Sequence, residues 1–141
     1  MFLGQYEYRV DEKGRVPLPP KYRPDFGEGV VLSRSVDRCI TVHTTSHWQK
    51  QAEGMVEKGV ARSKIRKLNR WLFGDSFSLG LDRQGRFPLP PSLRDYAEIS
   101  DAAVIVGANT YLEIWKPDLW QKARDEARQE AWQNIESLEA E

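Results

Sequence analysis

The 141-residue sequence has one cysteine, Cys39, and two histidines, His43 and His47. A single cysteine excludes an internal disulfide. The histidines are four residues apart, as in a helical metal-binding pair, but His43 falls in a predicted strand and no third ligand is evident. We therefore expect Cys39 to be a small core residue, both histidines to lie at the surface, and no metal or cofactor to be bound.

Long apolar runs are also missing. No stretch approaches the roughly 20 residues that span a bilayer, and the N-terminal segment lacks the basic and apolar regions of a signal peptide. We therefore expect a cytoplasmic protein without a membrane partner. The sequence has no Gly-rich phosphate loop, no Ser–His–Asp set and no paired carboxylate cluster, so we do not expect an enzyme.

The formal net charge of zero conceals an asymmetry between the two halves. Residues 1–70 contain 14 Lys and Arg against 8 Asp and Glu, whereas residues 71–141 contain 7 against 13. Such an asymmetry indicates either a half that faces a polyanion or an electrostatic head-to-tail contact between subunits. Charges scattered over solvated faces would explain it equally well.

The sequence contains an internal repeat. DEKGRVPLPPKYR at 11–23 aligns without a gap with DRQGRFPLPPSLR at 82–94, and 8 of the 13 positions are identical. We infer a tandem duplication of a unit of roughly 50 residues. Because a unit of that size buries too little apolar surface to be stable alone, we expect the two copies to share one core.

Each copy predicts the same order of elements. An alternating strand leads into a tight turn at Asp-x-x-Gly-Arg, and a short strand follows in which Pro17 or Pro88 must lie at an edge or a bulge. Pro20 or Pro91 then begins a short helix, and a second hairpin completes the copy. The predicted fold is mainly β with peripheral helices (α+β), a duplicated-hairpin β-barrel with pseudo-twofold symmetry. We place the first repeat at 1–50, a helical connector at 51–72, the second repeat at 73–120 and a C-terminal helix at 121–141.

The repeated turns carry the candidate chemistry. An arginine that projects from a tight turn offers a planar fork of donors to a phosphate or to the O6/N7 edge of guanine. The alternative is that Arg15 and Arg86 only form salt bridges with Asp11 and Asp82 and so stabilise the hairpins. The spacing alone leaves both interpretations open.

The segments MFLGQYEYRVDEKGRVPLPPKYR, DRQGRFPLPPSLR and YLEIWKPDLW resemble the bacterial MraZ family, part of the wider AbrB-like swapped-hairpin superfamily. The resemblance runs from Met1 to about Trp120 and implies a nucleoid-associated transcriptional regulator. It implies that the protein binds double-stranded DNA at short guanine-rich direct repeats, in the promoter of the division and cell-wall gene cluster. It also implies a homo-oligomer that assembles into a ring.

The resemblance assigns the DNA-contacting role to residues of the two turns. They are Asp11, Lys13 and Arg15 in the first turn, and Asp82, Arg83 and Arg86 in the second. Arg23 and Arg94 match the conspicuous arginine of the family motif at the start of the short helix and are expected to be structural or phosphate-facing. An alternative from another class is an AbrB-like protein-interaction module, such as an antitoxin that masks a toxin.

Overall fold

A computed structural model of the chain describes residues 1–57 and 61–140. The strands are β1 (Gln5–Arg9), β2 (Arg15–Pro17), β3 (Val30–Arg34), β4 (Ile40–His43), β5 (Phe77–Leu79), β6 (Arg86–Pro88), β7 (Ala102–Gly107) and β8 (Leu112–Trp115). The helices are a 3₁₀ helix (Pro20–Phe26), α1 (Thr45–Glu57), α2 (Arg62–Leu72), α3 (Pro91–Tyr96) and α4 (Pro117–Ala140). None of the helices in the described ranges combines the length and apolar character that crossing a bilayer requires.

The strands form one large antiparallel sheet and one small ribbon. The sheet has the order β1-β7-β8-β4-β3-β5, and β2 pairs with β6 in the ribbon. β1 pairs with β7, and β5 pairs with β3, so the first strand of each half pairs with the third strand of the other half. The prediction of a mainly β protein with several helices is confirmed.

The predicted closed barrel is wrong, because the six-stranded sheet is open and β1 and β5 form its two edges. To close the sheet into a barrel, the β2–β6 ribbon would have to join its two edges. Each strand of the ribbon has only three residues, with Val16 opposite Phe87. Pro17 and Pro88 lie in these strands and have no N–H group to extend the hydrogen-bond ladder. In a two-stranded ribbon both strands are edges, which is where the prolines were predicted to lie.

The main apolar core lies between the ribbon and the sheet. Val16 and Phe87 of the ribbon are fully buried, and so is Leu18, the residue after β2. Leu32 and Ile114 of the large sheet are fully buried as well. Residues of both halves therefore contribute to one core. This packing holds the ribbon, and the turns that flank it, against the rest of the molecule.

The C-terminal helix α4 is attached to the sheet only near its beginning. Leu119, Trp120 and Ala123 pack against a second small apolar cluster that includes Val104 and Trp115. From residue 125 to residue 140 the helix is exposed to solvent at every position except Ala131. α4 thus projects from the molecule for about four turns.

The predicted surface position of His43 is wrong. Its side chain is 2% exposed, and its ring stacks on those of His47 and Tyr111 with centroids 5.4 and 5.3 Å away. Burial and the charge of His47 lower the pKa of His43 to about 4. The prediction failed because His43 is enclosed by rings from separate elements, Trp48 of α1 with its centroid 5.0 Å away and Tyr111 of the other half of the chain. Cys39 is buried, as predicted.

Candidate functional site

The first repeated turn is built around the carboxylate of Asp11. Its Oδ1 accepts hydrogen bonds from the backbone N–H groups of Lys13 and Arg15, both at 2.9 Å. The backbone N–H of Gly14 donates to the carbonyl of Asp11 at 3.0 Å, and Gly14 has φ +74°. A left-handed conformation at this position favours glycine. The turn thus holds the peptide of Arg15 at a fixed position relative to Asp11.

The second turn has the same geometry. Asp82 Oδ1 accepts from the backbone N–H groups of Gln84 and Arg86 at 2.9 Å, and Gly85 has φ +75°. The two turns are also joined across the ribbon, where the N–H of Leu18 donates to the carbonyl of Gly85 at 2.9 Å. Leu89 donates in the same way to Gly14 at 2.9 Å, so the turns lie side by side.

The side chains of the two turns form one cluster of four charges. Arg15 Nε donates to Asp11 Oδ2 at 2.8 Å, and Arg86 Nε donates to Asp82 Oδ2 at 2.9 Å. Each arginine also reaches the aspartate of the other turn, with Arg15 Nη1 3.5 Å from Asp82 Oδ2 and Arg86 Nη1 3.5 Å from Asp11 Oδ2. The salt bridges expected within each turn are therefore present, together with a second pair between the turns.

The hydrogen bonds favour the ionised form of both carboxylates. The backbone N–H of Arg15 and its guanidinium lower the pKa of Asp11, and Arg86 lowers the pKa of Asp82 in the same way. The two guanidinium side chains remain 25% and 30% exposed. Nε and Nη1 of each guanidinium face the two aspartates, and the exposed remainder of each fork is open to a ligand.

The remaining predicted site residues surround this cluster without joining it. Lys13 and Arg83 are exposed at the tips of the two turns. A shallow depression beside the cluster is lined by Asp11, Glu12, Lys13, Arg15 and Arg86, and also by Arg9, which lies outside the turn motif. Arg9 ends β1 two residues before Asp11, so its place at the entry to the turn motif could have indicated it.

Arg23 and Arg94 lie beneath the turns, each under the turn of the other half. Arg94 Nε donates to the carbonyl of Ile99 at 3.0 Å, and a Cβ added to Gly14 would lie 3.1 Å from Arg94 Nη1. A Cβ added to Gly85 would lie 2.7 Å from Cζ of Arg23. Both arginines therefore pack closely against the glycine of a turn, which matches the structural role considered for them.

Among the side chains that the structure describes, those of residues 1–54 and 61–140, no group of three or more His, Cys, Asp or Glu is placed to bind a metal ion. Comparison with known proteins identifies a family. The family model described as MraZ protein matches residues 1–70 and 72–138. The description of that model also calls the protein antitoxin-like.

The chain belongs to the MraZ family. A protein named transcriptional regulator MraZ from Dehalococcoides mccartyi is 43% identical over 140 residues, which cover 99% of each chain. Proteins of the same name from Roseiflexus castenholzii and Syntrophomonas wolfei are 41% and 35% identical, and the matches cover 86% and 98% of this chain and 85% and 96% of theirs. The membership predicted from the two turns is confirmed, and it makes the chain a member of a family of transcriptional regulators.

Proposed function

We propose that the protein regulates transcription by binding short guanine-rich direct repeats in double-stranded promoter DNA, as an oligomeric ring. The observation that carries the proposal is the four-charge cluster, which fixes two arginine forks side by side on one surface. Two forks in a fixed relation suit two neighbouring positions on a duplex. The division and cell-wall gene cluster as target, and a nucleoid location, belong to the same proposal and rest on the family resemblance.

The chemistry of the forks favours guanine. Arginine donates in a bidentate manner to guanine O6 and N7 in the major groove, and this is the commonest specific contact between a protein and a base. Asp11 and Asp82 act as positioning residues, because each holds the Nε side of its arginine and so limits the side-chain freedom lost on binding. Lys13, Arg83 and Arg9 are placed around the forks, where they would contact phosphates.

One copy of the site would bind DNA weakly. The two turns carry the cations Lys13, Arg15, Arg83 and Arg86 against the anions Asp11, Glu12 and Asp82, so their local excess of positive charge is small. Few phosphates are neutralised by such a surface. Joining several copies raises the effective concentration of each site for the adjacent DNA repeat, which favours arrays of repeats over single sites.

We also propose that the fold is a duplicated AbrB-like hairpin, with repeats at 1–50 and 73–120, a connector at 51–72 and a C-terminal helix from 121. Two observations support the duplication. The order strand, strand, short helix, strand, strand, long helix occurs in both halves, and the family model matches one segment in each half. The exchange of first strands between the halves supports a swapped arrangement.

The proposal is tested by a gel-shift titration with the promoter DNA upstream of the chain's own gene, with and without its guanine repeats. Arg15→Ala and Arg86→Ala should each weaken specific binding by about 1–3 kcal/mol per site, while the thermal midpoint stays within a few degrees. Arg66→Ala, at an exposed position of α2 outside the two turns, is the matched control and should bind as the wild type does.

Three results would count against the proposal. Equal affinity for DNA without the repeats would remove sequence specificity. Unfolding of the arginine variants would mean that the cluster is only a structural ion pair. A small protein that copurifies in a fixed ratio would favour the antitoxin alternative, to which the family description also points.

A further inference from the structure

Helix α2 presents an exposed face that is both basic and apolar. Lys64, Lys67, Leu68 and Trp71 follow one another at positions i, i+3, i+4 and i+7, so they share one side of the helix. Both lysines are exposed, and the side chains of Leu68 and Trp71 are 40% and 37% exposed. The helix contains five cations and no Asp or Glu. Such a face suits a partner that is acidic and carries apolar side chains.

The outer part of α4 presents a face of the same spacing and the opposite charge. Trp132, Ile135, Glu136 and Glu139 occupy positions i, i+3, i+4 and i+7. Trp132 is 75% exposed and Ile135 is 44% exposed. Residues 129–140 include three Glu and no Lys or Arg. Trp132 and Ile135 together form an exposed apolar patch with charged residues beside it, and a patch of this kind marks an interaction surface.

The two faces belong to opposite ends of the six-stranded sheet. α4 lies beside the β1 edge, where Trp120 Nε1 donates to Gln5 Oε1 at 3.0 Å. α2 leads within a few residues into β5, which is the other edge strand. A contact between these faces of different copies would join the copies head to tail. Contacts of this heterologous kind produce rings when the rotation closes.

We propose that the outer face of α4 in one copy binds the α2 face of a second copy of this chain. Trp132 and Ile135 pack against Leu68 and Trp71, and Glu136 and Glu139 face Lys64 and Lys67. The apolar side chains supply the buried centre, and the charges at the rim select the partner and its orientation. The inference deepens the proposed function, since it rests on the proposed assembly and identifies the contact that forms it.

The test is sedimentation velocity on the full chain without DNA, with two charge-reversed variants. Glu136→Lys with Glu139→Lys should reduce the assembly to monomers, and Lys64→Glu with Lys67→Glu should do the same. An equimolar mixture of the two variants should associate again, because each restores the opposite charge on one side of the contact. Trp132→Gln is a second, uncharged disruption of the same face and should also yield monomers.

Matched controls lie on the other sides of the same helices. Glu126→Lys with Glu130→Lys in α4, and Arg66→Glu with Arg70→Glu in α2, alter as many charges away from the two faces and should leave the assembly intact. A wild-type monomer, assembly that survives the face variants, or a mixture that stays monomeric would each overturn the proposal. The DNA role is judged separately, by the arginine variants at a single repeat, so the two failures are distinguishable.

Discussion

At the scale of single residues, each aspartate of the site uses its two carboxylate oxygens for different tasks. Asp11 Oδ1 binds the backbone of its own turn, and Oδ2 binds the guanidinium groups of Arg15 and Arg86. The first set of bonds prevents the carboxylate from rotating, so the second set has a fixed direction. A salt bridge at a surface stabilises a fold only weakly. Its main effect here is to limit the positions that the arginine forks adopt.

His43 makes the stability of the fold depend on pH. Its pKa of about 4 lies below the ordinary value of 6.5. Between these two values the unfolded chain binds a proton that the native state does not bind, so stability is fully present above about pH 6.5 and falls as the pH decreases toward 4. A difference of this size corresponds to roughly 3 kcal/mol.

Urea denaturation of the wild type and of His43→Phe, at about pH 7 and pH 4.5, measures this contribution. Phenylalanine keeps a ring beside His47 and Tyr111 but cannot be protonated, so the variant should lose less stability on acidification. Burial raises the pKa of Glu113, so protonation of Glu113 favours the folded state at low pH and opposes the effect of His43. Both proteins contain Glu113, so its contribution cancels when their losses of stability are compared. Equal losses in both proteins would show that His43 is protonated without cost.

At the scale of elements, the two turns differ in how tightly their glycines are enclosed. Both have positive φ, but a Cβ on Gly85 would lie 2.7 and 2.8 Å from Cζ and Cδ of Arg23, whereas a Cβ on Gly14 would approach only the terminal Nη1 of Arg94, at 3.1 Å. We expect Gly14→Ala to cost about 1–2 kcal/mol, the usual cost of a left-handed alanine. Gly85→Ala should cost more, because Arg23 must also move.

The free energies of unfolding of these two variants, from chemical denaturation, test the difference. Arg23→Ala is an informative background, since it removes the obstructing side chain. In that background the costs of Gly14→Ala and Gly85→Ala should become similar. Similar costs already in the wild-type background would mean that Arg23 moves aside freely and does not support the turn.

The elements themselves could be predicted from local patterns. Tyr6 and Tyr8 alternate with exposed residues and form β1, as the predicted alternating strand requires. The ends of helices are harder to predict: Thr44 caps α1 by accepting from the N–H of His47 at 3.2 Å, although Ser46 lies only two residues away. Capping depends on backbone angles that neighbouring candidates such as Thr44 and Ser46 could equally adopt.

Local patterns did not predict which strands pair with each other or which side chains form ion pairs. The pairing of β1 with β7, and the ion pairs of Arg15 with Asp82 and of Arg86 with Asp11, join residues about 70 or more positions apart. Nothing in either turn motif specifies that the other turn lies beside it. The repeat indicated a shared core, but whether the sheet closes depends on the length of the β2–β6 ribbon, which the prolines limit.

At the scale of the whole molecule, a neutral chain binds a polyanion only if local positive surfaces act together. Each copy offers a small excess of positive charge at its turns, so the proposed function predicts that affinity depends on how many copies bind one DNA. We expect promoter DNA with three adjacent repeats to bind about 10²-fold or more tightly than DNA with one repeat. Inserting about 5 bp between repeats, half a helical turn, should abolish that gain by turning the sites to opposite sides of the duplex.

Fluorescence anisotropy with DNA of one, two and three repeats measures the gain, and the variants separate its causes. Glu136→Lys with Glu139→Lys should bind a single repeat as the wild type does, because these residues lie far along α4 from the turns, yet gain little from added repeats. Arg15→Ala should weaken binding at every repeat number. If the α4 variant retains the full gain in affinity from added repeats, that gain does not depend on the α2–α4 contact.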